Sequence, residues 1–144
     1  MVAYLDSSVL LRHVLLGEIG IRHAFATGSV VASELLEIEC RRVLHRYRMN
    51  GELDDTTFLQ AQERLEDVLK SVTILALTDR VKKRAAGAFP VVVKTLDALH
   101  LATALVYAEH YLSSEPHEAL IVFSHDESMN RCAYALGMET PLRH

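Results

Sequence analysis

Four acidic residues stand where an acid is out of place: Asp6, Glu39, Asp97 and Asp126. Asp6 stops the apolar run Val2-Ala3-Tyr4-Leu5 and is followed by Ser7 and Ser8. Asp126 repeats the pattern near the other end of the chain, after Ala119-Leu120-Ile121-Val122-Phe123-Ser124 and His125. Glu39 lies three residues after Leu36 and four before Val43, so on a helix it shares their apolar face. Glu34, Glu37, Arg41, His45 and Arg48 fall on the opposite, wet face. Asp97 opens a helical segment, Thr95 to Leu105, that is apolar round nearly its whole circumference.

Each acid has a plain explanation on its own. Asp6 and Asp126 could cap the helices that follow them, and Asp97 would favour the positive end of its own helix. Glu39 could pair with Arg42 or Arg46. His100, one turn after Asp97, reads more readily as a buried histidine bonded to backbone than as a ligand. Together the four acids suggest something more specific. Carboxylates gathered in one pocket repel one another and their pKa values rise. A divalent cation relieves that repulsion, and an all-oxygen donor set suits Mg²⁺ or Mn²⁺ rather than zinc. The chemistry of such a site is phosphodiester hydrolysis by metal-activated water.

The elements that must position these acids alternate along the chain. Strands are expected at 2–5, 30–32, 72–75 and 119–124, with a last short strand near Met138. Helices are expected from Ser7 to Leu16, over 21–27, over 33–49 with Ser33 as cap, over 54–71, from Thr78 to about Phe89, over 95–111 and over 127–136. The two long helices flanking Asn50-Gly51 should pack as an antiparallel hairpin. The loop 113–117 reads as the most flexible piece. Strands alternating with helices indicate an α/β fold with a mostly parallel sheet, and such sheets place their sites at the carboxyl edge.

At 144 residues the chain is long enough for one domain, 1–144, with a sizeable core. No apolar run approaches the ~18 residues of a membrane span, and there is no basic leader of a signal peptide before Asp6. Cys40 and Cys132 are too few for a disulfide framework, which points to reduced thiols and a cytoplasmic protein. A net charge of −4 argues against a protein that coats DNA by charge. It is compatible with an RNA-cleaving enzyme, because metal-binding acids themselves carry negative charge.

The segments Tyr4-Leu5-Asp6-Ser7-Ser8, Ser33 with Glu39-Cys40-Arg41-Arg42, Thr95-Leu96-Asp97-Ala98-Leu99-His100-Leu101-Ala102-Thr103-Ala104, and Ser124-His125-Asp126 followed by Ala135-Leu136-Gly137 resemble the PIN-domain ribonucleases. Within them the chain is most similar to VapC-type toxins of prokaryotic toxin–antitoxin pairs. The likeness runs in order over nearly the whole chain. Thr95 to Ala104 is its most specific piece, and 50–75 carries no signature.

The resemblance implies a three-layer α/β/α sandwich on a mostly parallel four- or five-stranded sheet. It matches Asp6, Glu39, Asp97 and Asp126 to the family's acidic positions, with Mg²⁺ or Mn²⁺ as cofactor and single-stranded or loop RNA as substrate. In this scheme Asp6, Glu39 and Asp97 hold one metal and Asp126 completes a second site. Ser8 and Ser124 orient ligands. Glu127 is an alternative to Asp126, and Glu37 a weaker rival to Glu39. Arg12, Arg42 and Lys94 are the candidates for RNA phosphate contacts; Arg41 and Arg48 read equally well as a solvated face. A homodimer and a VapB-like antitoxin partner are implied, with no membrane. Two other readings remain open: a housekeeping RNA-processing nuclease without antitoxin, and a non-catalytic RNA- or protein-binding module.

Overall fold

The computed structural model describes residues 1–112 and 119–143. Four strands, β1 (Val2–Leu5), β2 (Ser29–Ser33), β3 (Thr73–Leu75) and β4 (Leu120–Phe123), form a parallel sheet in the order β3-β2-β1-β4. Ala3 lies opposite Val30 on one side and Ile121 on the other, and Leu5 lies opposite Phe123. The chain moves outward from β1 through β2 to β3, then returns to place β4 on the far side of β1. The carboxyl ends of β1 and β4 therefore flank the point where the strand order reverses, the position at which open α/β sheets form a crevice.

β1 and β4 are buried along their full length, as expected when helices cover both faces of a parallel sheet. Alternate residues feed two separate cores. Ala3, Leu5, Val30, Ala32, Ile121 and Phe123 face one layer. That layer contains α1 (Ser7–Leu16), α2 (Gly20–Thr27), α3 (Leu35–Met49) and α4 (Asp55–Leu69). Val2, Tyr4, Val31, Leu120 and Val122 face the other. There α6 (Thr95–Tyr107) contributes Leu101 and Ala104, and α7 (Glu127–Ala135) contributes Met129, Cys132 and Ala133. The short α5 (Asp79–Ala85) packs on α6. This is the expected α/β/α sandwich with four strands.

Local signals account for most boundaries. Asp54 caps α4 by accepting from the Thr57 N–H at 2.8 Å, and Thr78 caps α5 by accepting from Val81 N–H at 3.2 Å. Gly28 joins α2 to β2 at φ 143°, and a Cβ there would lie 2.4 Å from the Met1 carbonyl oxygen. Ser33 ends β2 rather than standing at the cap position of α3, yet its Oγ still accepts from Leu35 N–H at 3.1 Å.

Other expectations need correction. Ile38, counted among the apolar stripe of α3, is exposed. The helix expected to reach Phe89 stops at Ala85, where Gly87 N–H folds back onto the Arg84 carbonyl. The helix expected over 95–111 is regular only to Tyr107, and Ala108–Leu112 forms a π-helical turn in which Glu109 and His110 both bond Arg80 of α5. The strand expected near Met138 is one parallel bridge, Ile121 to Glu139. The loop 113–117 lies outside the described residues.

Candidate active site

Asp6 leaves β1 with its N–H still bonded to Phe123 O at 3.0 Å, so its backbone is held by the sheet. Asp6 is only 4% exposed, and its side chain does not cap α1 although the residue occupies the cap position. Instead Oδ2 accepts from Ser8 Oγ at 2.7 Å and from Ser124 Oγ at 2.8 Å. Each hydroxyl is fixed in turn by a backbone donor: His125 N–H to Ser8 Oγ at 2.9 Å, and Asp126 N–H to Ser124 Oγ at 2.9 Å. The turns after β1 and β4 are thereby tied together through one carboxylate. Both hydroxyls use the same oxygen, which orients the group without engaging Oδ1.

Asp126 does cap its helix, with Oδ1 accepting from Met129 N–H at 2.8 Å. The plain capping explanation thus holds for Asp126 and fails for Asp6. Asp97 is half-buried in the first turn of α6, and its carboxyl is pushed up to about 6. Burial is the main cause, followed by the charges of Asp126 and Asp6; His100 opposes them and Glu39 adds to them. Asp97 therefore feels all three of the other acids.

Glu39 points inward from α3 with its side chain 19% exposed, and its Oε1 is bonded to Nε2 of His100. Its partner is thus neither Arg42 nor Arg46. His100 is fully buried, and its Nδ1 meets the hydroxyl of the equally buried Tyr4 at 2.8 Å. Burial pulls the His100 pKa down, but the Glu39 hydrogen bond and the charges of Asp6, Glu39 and Asp97 outweigh it, and the net shift is upward. Burial, and next the Asp6 charge, push the Tyr4 hydroxyl well up, so it keeps its proton. The Tyr4–His100–Glu39 chain is the feature the sequence did not reveal. Its one signal is the three-residue step from Asp97 to His100, which sets both on one face of α6.

The remaining candidates separate clearly. Glu127 projects into solvent and pairs with Arg131 at 3.2 Å, and Glu37 pairs with Arg41 on the wet face at 2.9 Å. Arg42 and Arg46 line a groove of about 580 Å³ beside Glu39, together with Ser7, Met49 and Leu96. Arg12 is exposed and lies 3.6 Å from Glu18. Lys94 is exposed immediately before α6. Cys40 and Cys132 are buried free thiols, and burial raises the pKa of both.

Among the described residues, no three His, Cys, Asp or Glu side chains converge closely enough to hold a metal ion. The four acids nonetheless share one electrostatic field at one sheet edge. Among the described residues, no ion pair links Asp6, Asp97 or Asp126 to a lysine or arginine. An all-oxygen set whose repulsion is opposed only by His100, with no lysine or arginine paired to Asp6, Asp97 or Asp126 among the described residues, fits a hard divalent cation.

A parallel sheet carrying acids at its switch point defines an α/β protein with an anionic edge site. The PIN-domain family model matches residues 3–133, and the chain belongs to that family. No curated protein matches the sequence. Solved structures share the fold at low identity. PAE2754 from Pyrobaculum aerophilum superposes with a TM-score of 0.61 at 19% identity, covering 96% of this chain and 82% of that one. VapBC2 from Rickettsia felis, bound to a DNA fragment from their promoter, gives 0.63 at 11% identity, covering 97% of each chain. A toxin–antitoxin complex from Klebsiella pneumoniae gives 0.63 at 17% identity, covering 99% of each.

Proposed function

We propose that this protein is a Mg²⁺- or Mn²⁺-dependent endoribonuclease that cuts single-stranded or loop RNA, acting in the cytoplasm as the toxin of a type II toxin–antitoxin pair. The observation that carries the reading is the Asp6 carboxylate, locked by Ser8 and Ser124, within the field of an Asp97 whose pKa is raised by burial and by the charges of Asp126 and Asp6. Membership of the PIN family supports nuclease chemistry. Likeness to two toxin–antitoxin structures supports a VapC-type role with a VapB-like antitoxin partner.

Asp6, Glu39 and Asp97 would hold one cation, and Asp126 would complete a second site. A divalent ion held there would supply a water of lowered pKa and positive charge for the developing phosphate anion. The protein's own part is positioning. Ser8 and Ser124 fix the Asp6 carboxylate, and the Met129 N–H fixes that of Asp126. Arg12, Arg42 and Lys94 would hold RNA phosphates on either side of the acids. Exposed Ile38, Met49 and Leu59 on the α3–α4 hairpin would supply a homodimer surface.

The test is cleavage of an unstructured RNA with Mn²⁺. Chelator should abolish it, and so should Asp6→Asn or Asp97→Asn. The products should carry 5′-phosphate and 3′-hydroxyl ends. Full activity in both variants, or 2′,3′-cyclic phosphate ends, would overturn the proposal.

A further inference from the structure

The buried chain Tyr4–His100–Glu39 is unusual for a core. His100 sits within an apolar helix and has both ring nitrogens engaged, Nδ1 by the Tyr4 hydroxyl and Nε2 by Glu39. The bond to Glu39 crosses the sheet edge, from the layer of α6 to the layer of α3. Glu39 itself is not fully buried, so water could solvate it without His100. Stability alone does not explain such a network, because well-packed apolar residues in place of buried polar groups are often neutral or stabilising. Its geometric effect is specific. A glutamate side chain loses rotamer freedom when fixed, and here it is fixed in advance through Oε1, leaving Oε2 for another partner.

We infer that His100, backed by Tyr4, is a positioning residue that holds the Glu39 carboxylate ready to bind a divalent cation. The inference rests on the metal-dependent reading of the site given above. Supporting hydrogen bonds of this kind commonly change metal affinity by about 10- to 100-fold when removed. With a carboxylate acceptor, Nε2 of His100 carries a proton and Nδ1 accepts from the Tyr4 hydroxyl in the neutral ring. The required feature is thus one N–H donor at the Nε2 position.

That requirement separates two conservative replacements. The glutamine amide nitrogen reaches the position of Nε2, whereas the asparagine amide stops near Nδ1. Mn²⁺ affinity should be measured by loss of the free-ion electron paramagnetic resonance signal on the whole protein, with thermal melts of the metal-free forms alongside. His100→Asn should weaken Mn²⁺ binding by about 10- to 100-fold, while His100→Gln retains most of the affinity. Tyr4→Phe keeps the ring and deletes only the hydroxyl, and should weaken binding in the same direction as His100→Asn but less. Wild-type affinity in both His100→Asn and Tyr4→Phe overturns the inference. Should His100→Asn fail to fold, Tyr4→Phe decides alone, and unchanged affinity again overturns it. A wild-type protein that binds no Mn²⁺ instead overturns the metal-dependent reading, and this inference with it.

Discussion

Asp6 and Asp97 are chemically identical side chains in different settings. Asp6 receives two hydroxyl donors on one oxygen, whereas Asp97 meets three other acids with His100 as the opposing influence. Removing one hydroxyl should loosen Asp6 without removing its charge. Ser124→Ala is expected to lower cleavage by about tenfold, within the range for lost supporting hydrogen bonds at metal sites. Steady-state cleavage assays check this, and wild-type rates would count against a role for Ser124. Asp97 yields a pH prediction. Its folded pKa is about 6 against an ordinary value of 3.8, so the native state binds its proton more tightly than the unfolded state does. The stability this contributes is fully present below about 3.8 and is lost as pH rises through about 6. Urea melts of metal-free protein across that window should show wild type losing stability relative to Asp97→Asn, and excess Mg²⁺ should restore it. Parallel curves for the two proteins would contradict the shared field.

Elements give Asp126 two duties that mutation can separate. Its Oδ1 caps α7, and its charge reaches Asp97. Asp126→Ala should therefore cost about 1 kcal/mol of stability for the lost cap and reduce cleavage as well. Asp126→Asn keeps a capping oxygen, so stability should return while cleavage stays low. Denaturant melts read the first effect and RNA cleavage the second; recovery of both in Asp126→Asn would reduce Asp126 to a cap. The element scale also marks where sequence reading succeeds. β1 and β4 were legible because each is an apolar run stopped by polar residues, and Asp54 and Thr78 because a cap is a local signal. The end of α6 was not, because nothing local in Ala108–Leu112 announces the bonds to Arg80, about thirty residues earlier. The inward aim of Glu39 followed from helical spacing. Its bond to His100, 61 residues away, depends on how α3 and α6 meet at the sheet edge.

At the scale of the whole molecule, the charge balance turns on the site. The chain has 19 Asp and Glu against 15 Lys and Arg, so its net charge of −4 equals the charge of four ionised site acids alone. Without cation, RNA phosphate approaching this edge meets carboxylates, and each close pair of like charges costs about 1 kcal/mol even in water. Metal should therefore be needed to bind RNA as well as to cut it. Replacing two of the acids should have the opposite effect on the two steps. The double variant Asp6→Asn/Asp97→Asn should not cleave, yet in chelator at low salt it should bind a labelled single-stranded RNA on the order of 30-fold more tightly than wild type, as two such repulsions imply. Fluorescence anisotropy measures this directly. The difference should shrink as salt is raised, because mobile ions screen the repulsion between RNA phosphate and the acidic edge. Equal affinities at low salt would mean that the RNA does not cross the acidic edge. The grooves lined by Arg42 and Arg46 would then have to carry binding by another path, and the cleavage site would have to be sought away from Asp6.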